Sequence, residues 1–361
     1  MKGLAHRALA LLLGSMLALL STTAFAGPFT SLVVFGDSLS DSGNDAFVFD
    51  NVLGPPLPAG SLRTPVPIPS QDFIPNFPYA SGRYSNGPVW AERLASGLGV
   101  TATPSMAGGS DFAFAGSRSG PSGSSFPYSL QDQAAMFLGQ TAGKAPSDTL
   151  YALQVGGNDL RDAFAALVAG KDPVPLLSSS ISNIDAVFAR LAAAGAEHFL
   201  VLNAPDLGAA PAITALGPQA SAAASGIAAE FNGALESSLA QLAASQASDL
   251  RLLDLFDLQT EIFSNPSRYG FSDLASACAF SASCIANPSA AFFWDGVHPT
   301  ATVHAIVAGA ALALIPLPDT TLLLAIGLPV LVIARRRRVS HLGKSERPAP
   351  GRTAAVKPYS E

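Results

Sequence analysis

The chain has 361 residues, 49% of them hydrophobic and only 13% charged. That balance excludes an intrinsically disordered polymer and leaves apolar material for one large core or two modest ones. Two of the 20 basic residues precede Gly27 and eight lie at or beyond Arg335, so residues 27–334 hold 10 basic against 24 acidic residues, a net charge of −14; a body that acidic repels phosphate backbones and argues against nucleic acid as a partner.

In chain order, residues 1–26 open with Lys2 and Arg7, run apolar from Ala8 to Leu20 and close on Ala24-Phe25-Ala26. A charged start, a short apolar stretch and a small-x-small site read as a secretory signal peptide, removed by a signal peptidase. The apolar run is short for a membrane span.

The body, 27–314, reads as one domain of alternating strands and helices. Residues 31–35 (SLVVF), 149–155 (TLYALQV), 198–202 (HFLVL) and 251–255 (RLLDL) are short apolar runs bounded by Gly, Asn or Asp, the pattern of buried strands. Residues 111–115 are a weaker candidate. Between the first two runs, residues 54–79 carry eight prolines, which excludes a helix or central strand and predicts a long surface loop. A shorter loop is expected over 119–125. Helices are expected over 180–194, where Ile184, Val187, Phe188 and Leu191 recur, and over 219–246, where Ile227, Phe231, Leu235, Leu239 and Leu242 share one face. A last helical pattern opens at 294–300 and runs to about Leu314. This alternation predicts an α/β fold with a mostly parallel central sheet, covered by helices on both faces.

The only cysteines are Cys278 and Cys284. An oxidising compartment favours pairing them, and the small loop they would close fixes local shape more than it adds global stability. Two cysteines without a histidine cluster do not make a zinc site. Past the body, an apolar stretch from Ile315 to Ala334 stops at four arginines, Arg335 to Arg338. It is long enough to cross a bilayer with its arginines on the cytoplasmic side. Residues 339–361, rich in Pro, Lys and Arg, read as a disordered basic tail.

In open α/β sheets, ligands bind beyond the carboxyl ends of the strands. The polar residues expected there are Asp37-Ser38 after the first strand and Asn158-Asp159 after the second, with Gly116 following the weaker one. Three histidines lie between the signal peptide and the apolar tail: His198, His298 and His304. His198 begins a strand and so falls at the wrong end of the sheet, and His304 is six positions beyond His298, on another helix face. His298 is therefore the candidate base, with Asp295 three residues earlier in reach of its far nitrogen. A hydroxyl, an imidazole and a carboxylate are the parts of a nucleophilic triad. Asp37 and Asp41 could instead suggest a carboxylate metal site, although Asp41 better suits fixing the turn after Ser38. Asp159 either braces Asn158 or caps the helix that follows.

The run Gly36-Asp37-Ser38-Leu39, extended by Ser40-Asp41-Ser42-Gly43-Asn44, resembles the first block of the GDSL esterase/lipase family within the SGNH hydrolase superfamily. Asp111 to Gly116 is similar to its second block, with Asp111 in place of Asn and Ala115 in place of Gly. Gly156-Gly157-Asn158-Asp159 matches the third and Asp295-Gly296-Val297-His298-Pro299 the fifth. Residues 82–90 and 203–208 also look like the phospholipase/lecithinase/haemolysin branch. The resemblance implies a flavodoxin-like three-layer α/β/α sandwich and a cofactor-independent serine hydrolase acting on small-molecule or lipid esters. It casts Ser38 as nucleophile, His298 as base and Asp295 as its orienting acid. The oxyanion would be held by the N–H groups of Ser38 and Gly116 and the side-chain amide of Asn158. A carbohydrate O-acetylesterase acting on exopolysaccharide is the alternative within catalysis, and a non-catalytic polysaccharide-binding surface protein the alternative outside it. An α/β-hydrolase is unsupported, because no Gly-x-Ser-x-Gly occurs in the chain.

The segment opening Ile315-Pro316-Leu317-Pro318-Asp319 is similar to PEP-CTERM sorting tails of the Val-Pro-Leu-Pro-Ala form. That likeness implies an exosortase-type transpeptidase as processing partner and an envelope or secreted location. It departs from the family at its opening residues and in the 23 residues after the arginines; a plain single-pass membrane anchor is the other reading.

Overall fold

The computed structural model describes residues 29–48, 79–80, 82–123, 126–154, 156–246 and 248–315. The chain divides after Ile315 into two units, and every described residue belongs to the first. The expected signal peptide, nearly all of the proline-rich segment, the end of the 119–125 loop, the apolar C-terminal segment beyond Ile315 and the basic tail lie outside the described residues. Among the described residues no helix is long and apolar enough to cross a membrane.

Four strands, β1 (Ser31–Gly36), β2 (Thr149–Gln154), β3 (His198–Leu202) and β4 (Asp249–Leu253), form one sheet in the order β1-β2-β3-β4. All three pairings are parallel, with Gly36 opposite Gln154 and Gln154 opposite Leu202. Strands buried on both faces need no alternation, which is why β1 and β2 read as nearly unbroken apolar runs.

Ring contacts separate the two faces. Phe35 packs on Phe137 of α2 (Leu130–Gln140), Tyr151 touches both Phe137 and Phe199, and Phe199 lies tilted against Phe188 of α4 (Val174–Ala193) with ring centroids 4.2 Å apart. Alternate residues point the other way. On that second face lie α1 (Trp90–Leu98), whose Trp90 reaches Gln154 through Ser40, and α7 (Ala301–Leu314), whose His304 meets the start of α1. The remaining long helices are α3 (Gly157–Val168), α5 (Pro218–Gln246) and α6 (Leu255–Ser264). The expected three-layer α/β/α architecture is the observed one.

Two elements differ from expectation. Residues 111–115 do not form a regular strand, although they run parallel beside β1: Val34 N–H donates to Ser110 O, Phe112 N–H to Val34 O and Phe114 N–H to Gly36 O. The far side of the segment meets residues 103–105 in a single bridge, Asp111 N–H donating to Thr103 O and Ser105 N–H to Asp111 O. Asn44 Nδ2 donates to the Asp111 and Ala113 carbonyls at 2.7 and 2.9 Å, and the pairing goes no further than that bridge. Counting this segment in chain order, the sheet runs 2-1-3-4-5, the flavodoxin-like order, and its direction of growth reverses between β1 and β2. The fourth strand ends at Leu253 rather than Leu255, because the Asp254 carboxylate accepts the Asp257 N–H at 2.9 Å and starts α6 there.

Candidate active site

The reversal between β1 and β2 opens a crevice above their carboxyl ends, and both ends are shaped to fill it. Gly36 has no room for a side chain: a Cβ there would lie 2.5 Å from Gln154 O and 2.8 Å from Ser40 Oγ. Bare backbone lets β1 run hard against β2 before the chain turns. The Ser40 and Asp41 N–H groups then both donate to Asp37 O at 3.0 Å, and the Asp37 carboxylate accepts the Leu39 N–H at 3.0 Å. This tight turn carries Ser38 at its tip, half exposed. Gln133 of α2 clamps the base of the turn, accepting the Gly36 N–H and donating to Gly36 O. Burial pushes the Asp37 carboxyl up to about 6.

The loop before α7 supplies the other half. Asp295, fully buried, accepts the Val297 and His298 N–H groups on Oδ1 at 2.8 and 2.7 Å. The turn so formed swings the His298 ring back over its own carboxylate. Nδ1 of His298 lies 2.7 Å from Asp295 Oδ2, and Nε2 lies 2.8 Å from Ser38 Oγ, across 260 residues of sequence. A carboxylate oxygen can only accept, so Nδ1 carries the proton and Nε2 is left to accept from the serine hydroxyl. The Cys278–Cys284 disulfide is present, and the loop it closes is tied to this segment: Cys278 N–H donates to Phe293 O and Ala279 N–H to Trp294 O.

Asn158 is the second residue of α3 and Gly116 sits in the turn after the 110–114 segment, at φ +77°, a left-handed conformation that favours glycine. Asn158 Nδ2 donates to Ser117 O at 2.9 Å, which joins the two loops, and Arg161 Nη1 donates to Asn158 Oδ1 at 3.1 Å. With its oxygen held by Arg161 and one N–H by Ser117, the amide keeps one N–H free. Among the described residues, the Ser38 and Gly116 N–H groups also form no hydrogen bond. Asp159 neither braces Asn158 nor caps its own helix; its carboxylate accepts from the Ser119 N–H and hydroxyl, pinning the loop after Gly116 to α3.

Behind the serine turn lies a second acidic group. Asp41 accepts the N–H groups of Gly43, Asn44, Asp45 and Ala115, as the turn-fixing reading expects. Asp45 accepts from Ala115 N–H and Tyr84 OH, and Asp111 from the N–H groups of Ser42 and Ala113. Burial, reinforced by the charge on Asp41, holds Asp45 and Asp111 well above the usual carboxylate range. These carboxylates are engaged by amides and by the Tyr84 hydroxyl, and among the described residues no cluster of His, Cys, Asp or Glu could hold a metal ion.

Sequence reasoning missed two partners. Tyr79 OH donates to Asp295 Oδ2 at 2.8 Å from 216 residues away, a contact without any local signal. Arg161 follows Asn158 by three positions in a helix, a spacing that does place two side chains on one face. His198, by contrast, sits where expected, at the opposite end of the sheet and 3.1 Å from Asp249.

The model of the GDSL-like lipase/acylhydrolase family matches residues 32–311, which takes in all four described strands but for Ser31, and both halves of this site. A phosphatidylcholine-sterol acyltransferase of Aeromonas hydrophila is 28% identical over 325 residues, covering 77% of this chain and 87% of that protein. A GDSL esterase/lipase of Arabidopsis thaliana is 25% identical over 342 residues, covering 82% and 94%. A crystal structure of a G-D-S-L family lipolytic protein from Veillonella parvula aligns with a TM-score of 0.39 at 12% identity, covering 78% of this chain and 96% of that one.

Proposed function

The chain belongs to the GDSL-like lipase/acylhydrolase family and is a carboxylic ester hydrolase, and within that family we propose that it works through an acyl-enzyme on Ser38. The observation that carries this reading is the continuous path from Asp295 through His298 to Ser38, in bonds of 2.7 and 2.8 Å. As Ser38 Oγ attacks the ester carbonyl, its proton passes to His298 Nε2, and the imidazolium so formed is stabilised by Asp295. The carbonyl oxygen becomes an oxyanion, which the free N–H groups of Ser38, Gly116 and Asn158 are suited to receive. The imidazolium returns the proton to the departing alcohol. Water, activated by the same imidazole, then releases the acid and restores the serine.

Arg161 has a positioning role in this scheme. By holding the Asn158 oxygen it fixes which end of the amide faces the crevice. Export through the N-terminal segment, and retention or processing through the C-terminal one, belong to the same proposal and rest on the sequence patterns and on cysteines that pair.

The test is hydrolysis of p-nitrophenyl acetate and longer p-nitrophenyl esters by the purified protein, with Ser38→Ala as control and acetylated polysaccharide as a competing substrate. Loss of all ester cleavage in the variant is expected. Full activity without Ser38 would remove the nucleophile from the scheme, and a preference for the polysaccharide acetate would favour the O-acetylesterase alternative.

A further inference from the structure

Arg161 stands beside Asn158 as a cation without a counterion. Only one of its five guanidinium N–H groups is engaged, by Asn158 Oδ1 at 3.1 Å. Arg83, Arg118, Arg251 and Arg268 each hold a carboxylate; among the described residues Arg161 holds none. It is partly buried, and that burial, followed by the charge of Arg118, pushes its pKa down. A charge taken out of water is normally paired. Nε and Nη2 of Arg161 make no hydrogen bond among the described residues and are not closed off from solvent, so an incoming group can reach them.

Covalent geometry and packing place this cation. Helix α3 abuts the serine turn: a Cβ added to Gly157, its first residue, would lie 3.4 Å from Asp37 Oδ2. Asn158 is the next residue, and Arg161 lies one helical turn on. An amide spans about 2.3 Å from oxygen to nitrogen, so Arg161 Nη1 lies within about 5.4 Å of Asn158 Nδ2. An oxyanion received by that nitrogen, about 2.9 Å further on, is therefore at most about 8 Å from the guanidinium. The neighbouring charges are engaged elsewhere. Arg118 donates from Nη1 to Gly116 O at 3.1 Å and is paired with Asp162. Asp159 accepts from Ser119. Asp37 and Asp295 are within electrostatic reach of Arg161, but Asp37 accepts the Leu39 N–H and Asp295 serves Tyr79 and His298.

We propose that Arg161 is a binding site for an anionic group of the ester substrate, a sulfonate, carboxylate or phosphate carried a few bonds from the scissile carbonyl. The planar fork of Nε and Nη2 donates to two oxygens of such a group at once, while Nη1 continues to hold Asn158. The inference rests on Ser38 as nucleophile and Asn158 as oxyanion donor, and it names a feature of the substrate that this reading leaves open. The surroundings sharpen it. With 10 basic against 24 acidic residues, the body between residues 27 and 334 repels anions at long range, so a preference for anionic esters has to come from a local cation.

The test is kcat/KM at fixed ionic strength on two matched pairs of esters. The pair 4-acetoxybenzenesulfonate and 4-acetoxybenzamide puts the charge on the alcohol; p-nitrophenyl 4-sulfobutanoate and p-nitrophenyl pentanoate put it on the acyl chain. For each pair, the anionic-to-neutral ratio of the wild type is divided by that of Arg161→Met. This quotient cancels intrinsic ester reactivity, the folded fraction, and the loss both esters share when Asn158 loses its anchor. It is expected at about 10–100 for one pair, the range of a hydrogen bond to a charged group, and that pair identifies the side of the ester that Arg161 reads. Arg161→Lys, which keeps the charge and loses the fork, should fall between. A quotient near one for both pairs would overturn the proposal. Should the variants not fold, the wild type decides. Added sodium chloride should lower its kcat/KM for the favoured anionic ester, whereas a rise for both anionic esters, the mark of a merely repelling acidic body, would overturn the site. Ser38→Ala separates the two failures: acetate hydrolysis surviving in that variant would count against the nucleophile, whereas a silent variant with both quotients near one would count against the Arg161 site alone.

Discussion

Asp295 and the trio Asp41, Asp45 and Asp111 are all fully buried, and they differ in what satisfies them. Asp295 takes two backbone N–H groups on one oxygen and two side-chain donors, Tyr79 OH and His298 Nδ1, on the other. One of those donors is an imidazole whose far nitrogen touches the serine, so charge on Asp295 is felt where the ester would react. Asp41 takes four backbone N–H groups, from Gly43, Asn44, Asp45 and Ala115. Those donors cannot move a proton; they fasten the turn after Ser38 to the residue before Gly116. The same side chain is thus placed to tune a base in one region and to clamp two loops in the other, and the partner sets the difference.

Substitutions on the imidazole side should abolish activity while largely sparing stability. Ser38→Ala and His298→Ala are each expected to lower kcat by about 10⁴–10⁶, and Asp295→Asn by about 10⁴ through the wrong tautomer. Their urea midpoints should stay near that of the parent for the serine variant, and fall for Asp295→Asn, where a buried acceptor is lost. Asn158→Ala should cost about 10²–10³ in kcat with little change in KM; an equal rise in KM instead would mean that the amide binds ground state and transition state alike.

The turn between the two regions should answer to pH through Asp37. Asp37 holds its proton up to about pH 6 when folded, against 3.8 ordinarily. Between those values the folded protein binds more protons than the unfolded chain, so stability is greatest below the window and falls as pH rises through it. The loss from Asp37 alone is about 3 kcal/mol across the window. Denaturation midpoints measured from pH 4 to 7 should decline accordingly, and Asp37→Asn should flatten the slope. The smallest effect is expected from Tyr79→Phe, which takes one donor from Asp295 and keeps the ring packed on Trp294. A loss of about tenfold in kcat is expected, the worth of one hydrogen bond to a charged group. An unchanged kcat with a lowered unfolding midpoint would reassign Tyr79 to packing.

Much of the fold and of the site is legible in local chemistry. Gly36-Asp37-Ser38 reads as a turn after a strand because glycine and short polar side chains bend backbone, and Asp295 with His298 reads as a pair because three residues is the reach of one turn. The apolar pattern at 251–255 puts the end of the fourth strand two residues late for a local reason too, the cap at Asp254. Position within an apolar run does not reveal which oxygen will accept the first helical N–H. Residues 111–115 are less legible, since their outer edge is met by the side chain of Asn44, 67 residues earlier, and by one bridge to Pro104 rather than by a regular strand.

Amino-acid order alone specifies the parallel α/β architecture and which hydroxyl, imidazole and carboxylate could cooperate, because periodicity and turn chemistry are properties of neighbouring residues. Packing in three dimensions is what brings Tyr79 to complete the shell of Asp295 and Trp90 to link Ser40 with His304. Those outcomes depend on distances between segments up to 216 residues apart, which the seating of the helices on the sheet sets and no local pattern encodes.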